Sequence, residues 1–410
     1  MFANPSNHFF DHTPDSLKQW CADRGMPAFR ATQLLKWVYE KGVADPRQMT
    51  DLSVRDRDLL AETMTFLSGE VIAHKSASDG VQKLLVQWSN GDTPLVAEKP
   101  TGTQSDLVSL PLSIVGQPLA SSTCGPLDTS RQTECVMIPT DDRKTACISS
   151  QVGCPVGCKF CASGMGGLDG NLSAGRIVEQ VWRLGQLPGI GRISNVVFMG
   201  MGEPLSNFDA VTTAIRTIHG LWALGISARK ITISTVGLPK FIDRLRDEFE
   251  LPVTLALSLH APTDDLRRQL IPWSEFTTID ELLESCHGWY EKTGREITLE
   301  YTLLRDVNDS PMQAARLAEL AQSMRANVNL IRYNEVEGTP FGRPRSADVL
   351  TFQQVLQNRG VNVHIRASRG RDIAAACGQL RHDARVKSDG SASAVVGAPN
   401  GGDLLATVEP

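Results

Sequence analysis

Three thiols crowd into the segment Cys154-Pro-Val-Gly-Cys158-Lys-Phe-Cys161. Gly153, Pro155 and Gly157 let the chain fold back there, so that the sulfurs can converge on one point. Thiolates so close together point to a metal centre. A structural zinc needs a fourth ligand, and the C-x3-C-x2-C spacing supplies none locally, nor does a nearby His; zinc completed by a distant residue is the alternative. Iron–sulfur clusters also normally take four thiolates, so three would leave one iron open to bind something else. The chain has nine cysteines, an odd number, and Met1–Ser16 lacks the basic segment and apolar stretch of an export signal. A disulfide framework is therefore not expected.

Further polar groups fall where strands should end. Met199-Gly200-Met201-Gly202-Glu203-Pro204 joins glycines, which let backbone approach a ligand, to a carboxylate that can accept from an amine; a common Gly-rich turn reads the same way. Ser234, Ser258-Leu259-His260 and Asn334 follow later strands. Each alone fits a satisfied rim residue, and together they fit the mouth of a binding site. Cys377, among small residues beside Gly378, is either a ligand-facing thiol or a small buried hydrophobe. Cys147 lies seven residues before Cys154, so both can approach the same place.

These groups need a scaffold. From Cys147 onward the pattern alternates regularly. Strands are predicted at Cys147–Val152, Ser194–Met199, Lys230–Thr235, Val253–Leu259, Glu296–Leu304, Asn327–Ile331 and Asn362–Arg366. Amphipathic helices are predicted at Ser173–Leu187, Asp209–Leu224, Leu238–Phe249, Ile279–Lys292, Met312–Arg325 and Ala347–Asn358. Such alternation implies a parallel sheet under right-handed crossovers: an α/β fold, here a partial (β/α)6 barrel whose working face is at the strand carboxyl ends. Five regions result: a loose N-terminus at 1–15, a helical module at 16–75, a strand-containing connector at 76–140, the barrel at 141–387, and a Gly/Ser/Ala-rich tail at 388–410 read as disordered. Leu84–Trp88 and Glu134–Ile138 are the connector's strands, and Gln117–Arg131 reads as a loop.

Composition excludes other classes. With 41% hydrophobic residues the chain is not wholly disordered, and no apolar run reaches the ~18 residues of a membrane span. A net charge of −5 argues against bulk-charge coating of nucleic acid. A local patch remains, since Arg366–Lys387 holds six basic residues against Asp372 and Asp383; a solvated face is the alternative reading.

The cysteine spacing, with Phe160 before Cys161, resembles the signature of radical S-adenosylmethionine (radical SAM) enzymes. Arg143–Cys161, Gly200–Pro204, Ser258–Ala261, Ala375–Leu380 and the helical stretch Phe29–Tyr39 together resemble the RlmN/Cfr family, radical SAM methyltransferases of 23S ribosomal RNA adenosine. The resemblance implies a [4Fe–4S] cluster held by Cys154, Cys158 and Cys161, and S-adenosylmethionine held at Gly202, Glu203, Ser234, Ser258, Leu259, His260 and Asn334. It implies that Cys377 carries a methyl group, that Glu134 accepts a proton, and that Cys147 closes a disulfide with Cys377 to release the product. It further implies two S-adenosylmethionine molecules per turnover, a 23S ribosomal RNA partner with transfer RNA as a further candidate, a flavodoxin or ferredoxin electron donor, and a cytoplasmic monomer. C2 of adenosine is the expected target. C8 methylation, a radical SAM protein activase and a zinc-bound RNA-binding module are the rivals. Residues 95–130 look like an insertion, Arg332 stands where the family pattern has proline, and Cys21, Cys124, Cys135 and Cys286 match no functional position.

Overall fold

A computed structural model describes residues 2–92, 128–324 and 326–380. The N-terminal part carries α1 (Pro14–Asp23), α2 (Phe29–Leu35) and α3 (Val54–Thr63), followed by the antiparallel strands β1 (Gly69–Ser76), β2 (Gln82–Trp88) and β3 (Gln132–Pro139). The barrel region then runs β4 (Lys144–Cys147), β5 (Gln151–Gly153), β6 (Leu168–Asn171), α4 (Ala174–Gly185), β7 (Asn195–Phe198), α5 (Phe208–His219), β8 (Ile231–Thr235), α6 (Pro239–Glu248) and β9 (Thr254–Ser258). It closes with α7 (Asp264–Leu270), α8 (Ile279–Thr293), β10 (Thr298–Leu303), α9 (Pro311–Ser323), β11 (Asn327–Arg332), α10 (Ser346–Asn358) and β12 (Val363–Arg366).

Among the described residues, ten strands form one sheet in the order β1-β2-β3-β4-β7-β8-β9-β10-β11-β12. From β4 onward every pairing is parallel, and the connecting helices alternate with the strands, so the expected partial α/β barrel is present. Parallel strands covered by helices must be apolar on both faces, which is why Leu255, Leu257, Leu299, Leu303, Val328 and Leu330 are fully buried. Helix starts follow local chemistry. Ser173 caps α4, and Thr278 with Glu281 forms a capping box on α8.

Three expectations change. The strand predicted at Cys147–Val152 ends at Cys147, and Gln151–Gly153 pairs instead with β6 in a separate two-stranded sheet. The chain must leave the sheet plane there to lift the cysteine loop over the strand ends. The N-terminus expected to be loose is packed: Phe9 and Phe10 are buried, and Phe9 stacks on Phe66 at 5.0 Å between ring centres. Burying each ring is worth about 2–3 kcal/mol, enough to fix an otherwise polar segment. Strand β1 had no counterpart in the sequence pattern. The tail at 388–410 and most of 95–130, including Cys124, lie outside the described residues. Among the described residues, no helix is long and apolar enough to cross a membrane.

A buried polar network joins the N-terminal part to α4. Arg176 donates to Asn4 Oδ1, Ser68 Oγ and the Ser89 carbonyl. Glu179 accepts from the backbone N–H groups of Ser68 and Gly69 and from Arg183.

Candidate active site

The cysteine loop begins where β5 ends. Gly153 and Gly157 sit at φ +77° and +71°, the left-handed region that favours glycine, and they turn the loop. Backbone bonds hold it: Cys154 N–H donates to Gly167 O, Lys159 N–H to Leu270 O, and Ala162 N–H to Gly378 O at 2.7 Å. All three thiols line one cavity of ≈ 890 Å³, a figure that includes its open mouth. Burial pushes the Cys154 thiol up to about 12, and Cys161 and Glu203 add to the rise. Burial likewise raises Cys158, with Cys161 and Cys154 adding.

The three sulfurs face one shared cavity. Among the described residues, no three His, Cys, Asp or Glu side chains surround a single ion position. A tetrahedral zinc draws every donor to about 2.0–2.3 Å of one metal. A cubane cluster bonds each thiolate to a different iron, so its ligands stand apart around a shared cavity. Three thiols spread around one cavity fit the second arrangement.

Glu203 forms the next wall and is buried. One carboxylate oxygen accepts from Leu205 N–H at 3.1 Å, the other from Val236 N–H at 2.9 Å. Burial raises its pKa against those bonds. Gly202 lies at φ +105°, and a Cβ there would stand 2.7 Å from Gln151 Cβ and Ser150 Oγ. Ser234 and Ser258, at the ends of β8 and β9, face each other with hydroxyls 3.2 Å apart. His260 also lines the cavity, its ring edge-on to Phe160 at 5.0 Å.

Cys377 and Gly378 lie on the same cavity. Cys147 is behind them, in an apolar cluster with Val136, Met201, Ala375 and Leu380. Burial pushes the Cys147 thiol up to about 12, and Cys377 contributes, so the two sulfurs are in electrostatic reach. Cys377 acts in the same way on Cys161. The Cys377 loop is pinned from the far side of the sheet: Gly370 N–H donates to Asp79 Oδ2 at 3.0 Å and Ser78 N–H to Asp372 Oδ2 at 2.9 Å.

The remaining predicted residues fall outside the cavity lining. Leu259 is in the main core, its N–H bonded to Glu300 O and its carbonyl to Arg267. Asn334 is buried and accepts from Arg343 at 3.1 Å. Glu134 lies on β3 in a buried ion pair with Lys83. Cys21, Cys135 and Cys286 are buried, as structural cysteines are.

Two charged cavity residues were missed. Arg366, grouped by sequence with an RNA-facing basic run, instead lines the cavity and donates to Met199 Sδ at 3.3 Å. Its charge faces Cys377, Glu300 and Cys147. It ends β12 as Ser234 ends β8, so the strand-end rule applied throughout would have found it. Arg381, Arg385 and Lys387 lie outside the described residues. Glu300, buried on β10, accepts from Asn329 with one oxygen, while Oε2 has no hydrogen-bond partner and the side chain borders the cavity.

A partial barrel with a three-cysteine loop over its strand ends defines a radical SAM enzyme, and residues 148–318 match the family model of the radical SAM superfamily. Residues 8–66 match that of the ribosomal RNA large subunit methyltransferase N-terminal domain. The chain is 36% identical over 378 residues to a probable dual-specificity RNA methyltransferase RlmN of Rhodopirellula baltica, covering 92% of this chain and 91% of that one. It is 38% identical over 381 residues to the dual-specificity RNA methyltransferase RlmN of Dichelobacter nodosus, covering 91% and 93%. The crystal structure of a radical SAM methyltransferase from Sphaerobacter thermophilus matches with a TM-score of 0.79 at 37% identity, covering 92% of this chain and 99% of that one. The chain belongs to the RlmN family of radical SAM RNA methyltransferases. That family implies a [4Fe–4S] cluster and S-adenosylmethionine.

Proposed function

We propose that the protein methylates C2 of an adenosine in 23S ribosomal RNA, and an adenosine of transfer RNA, through a methylated Cys377. Support comes above all from Cys377: it shares the cavity with Cys154, Cys158 and Cys161 and lies in electrostatic reach of Cys147. The dual-specificity RNA methyltransferases it is similar to support the substrate class.

In this reading Cys154, Cys158 and Cys161 hold the cluster, and Gly202, Glu203, Ser234, Ser258, Leu259, His260 and Asn334 hold S-adenosylmethionine. A cluster bound there would supply the electron for reductive cleavage of a second S-adenosylmethionine and take one electron back at the end. Cys377 first takes a methyl group as a nucleophilic thiolate. That methyl group, its hydrogen atom taken by the adenosyl fragment of the second S-adenosylmethionine, adds to the flipped-out base. Glu134 removes the proton from the substituted ring carbon. Cys147 thiolate then attacks the Cys377 sulfur, breaking the S–C bond; the methylene takes a proton, one electron departs, and a disulfide remains. Two external electrons and two protons restore the thiols, with flavodoxin or ferredoxin as donor. The N-terminal module grips RNA, and the protein works as a cytoplasmic monomer.

Mass spectrometry of ribosomal and transfer RNA from a strain lacking this protein, with and without complementation, tests the reading. Loss and recovery of 2-methyladenosine is expected. Dependence of 8-methyladenosine instead would favour the C8 reaction, and dependence of neither would refute both.

A further inference from the structure

Lys83 is nearly fully buried on β2, its side chain 4% exposed, and none of the assigned roles uses it. It pairs with Val136 across the sheet, while Leu85 pairs with Glu134. Lys83 and Leu85 therefore share a face, which sets Lys83 diagonally opposite Glu134. Its Nζ lies 2.7 Å from Glu134 Oε1 and donates to the Ala374 carbonyl at 2.9 Å. Ala374 stands three residues before Cys377, at φ +52°, a conformation a non-glycine residue holds only when its surroundings enforce it. One ammonium thus spans the carboxylate on β3 and the loop of the methyl-carrying thiol. A buried ammonium is costly unless paired, so this arrangement is not that of a solvated strand lysine.

We propose that Lys83 is a positioning residue of the reaction, fixing the Glu134 carboxylate against the loop that presents Cys377. The inference rests on the reading of Glu134 as proton acceptor and Cys377 as methyl carrier. Once Cys377 is joined through its methylene to the base, the ring carbon must lose its proton before the S–C bond can break. Glu134 takes that proton; Lys83 neither gains nor loses one and only holds the carboxylate in place. Other bonds also tie the Cys377 loop, at Gly370, Asp372 and Gly378, so the loss of Lys83 falls mainly on proton removal.

The test uses reconstituted full-length enzyme, both substrates and labelled RNA. Protein–RNA covalent adduct is measured against free methylated RNA on denaturing gels, for wild type, Lys83→Met, Lys83→Gln, Lys83→Arg and Glu134→Gln. Lys83→Met and Lys83→Gln should raise the adduct-to-product ratio at least tenfold, with Lys83→Arg restoring part of it. If Glu134→Gln raises the ratio and both neutral Lys83 variants keep the wild-type value, this inference fails alone. If Glu134→Gln itself gives no adduct, the proton-acceptor reading fails and takes the inference with it. A structural role would lower the thermal midpoint and methylation of Cys377 together without adduct, and that result also overturns the proposal.

Discussion

His8 Nε2 lies 3.0 Å from Glu179 Oε2, both side chains wholly buried, and so ties the extreme N-terminus to the first barrel helix. Burial alone would raise the Glu179 pKa. Arg183, His8 and the Ser68 N–H overcome it and bring the value down to about 2.

A carboxyl group held so low stabilises the fold fully above its unfolded value, near 4.5, and the contribution is lost as pH falls from there toward 2. Glu179→Gln should cost about 3 kcal/mol at pH 7, the order seen when one partner of a buried pair is removed. Urea unfolding at pH 7 and pH 3 checks this. The gap between wild type and variant should narrow at pH 3; an equal gap at both values would refute the linkage.

Parts of this arrangement are legible in the sequence and parts are not. The barrel helices and strands were readable because their apolar spacing is local. The cavity residues Glu203, Ser234, Ser258 and His260 were readable because parallel strands deliver their ends to one face. Partners far apart in sequence were not. Phe9 and Phe10 pack on Phe66 and Trp182, and nothing near them announces those partners. Lys83 lies just before the strand read from the sequence, and its burial emerges only when β3 is set beside it. Arg366 reads as one of the basic residues of the Arg366–Lys387 run, although its place at the end of β12 marks it for the cavity.

Cys158→Ser should remove most of the iron from anaerobically reconstituted protein, from about four atoms per chain for a cubane cluster. The visible absorption should fall with it, while far-ultraviolet circular dichroism stays native. Retention of about one zinc per chain, with no colour in the wild type, would instead support the metal-bound binding module.

Gly202 offers a test of close approach. An added Cβ meets Gln151 and Ser150 at 2.7 Å, on a backbone of φ +105°. Gly202→Ala should therefore weaken S-adenosylmethionine binding at least tenfold by equilibrium dialysis, about 1.4 kcal/mol. Gly294→Ala is the control, since φ is +64° but nothing lies within 4 Å of the new atom. It should cost about 1 kcal/mol of stability and leave binding alone. Equal binding by Gly202→Ala and wild type would remove Gly202 from the site.

His260 gives a second pH dependence of the same sign, in a higher window. Thr302 N–H donates to its Nδ1 at 3.0 Å, so the neutral ring carries its proton on Nε2. Asn308 Nδ2 donates to the His260 carbonyl at 2.8 Å and holds the residue at φ +58°. Burial, with Arg267 nearby, drives the imidazole pKa down to about 3. The unfolded chain protonates this histidine below 6.5 while the folded chain does not, so stability falls as pH drops from 6.5 toward 3, by about 1.4 kcal/mol per unit. Asparagine tolerates the left-handed backbone and keeps an acceptor for Thr302. Between pH 7 and pH 5, wild type should accordingly lose about 2 kcal/mol more than His260→Asn in urea titrations. A pH-independent difference would mean that the ring takes up its proton in the folded protein, and it would then face the cavity as a cation rather than as a neutral Nε2–H donor.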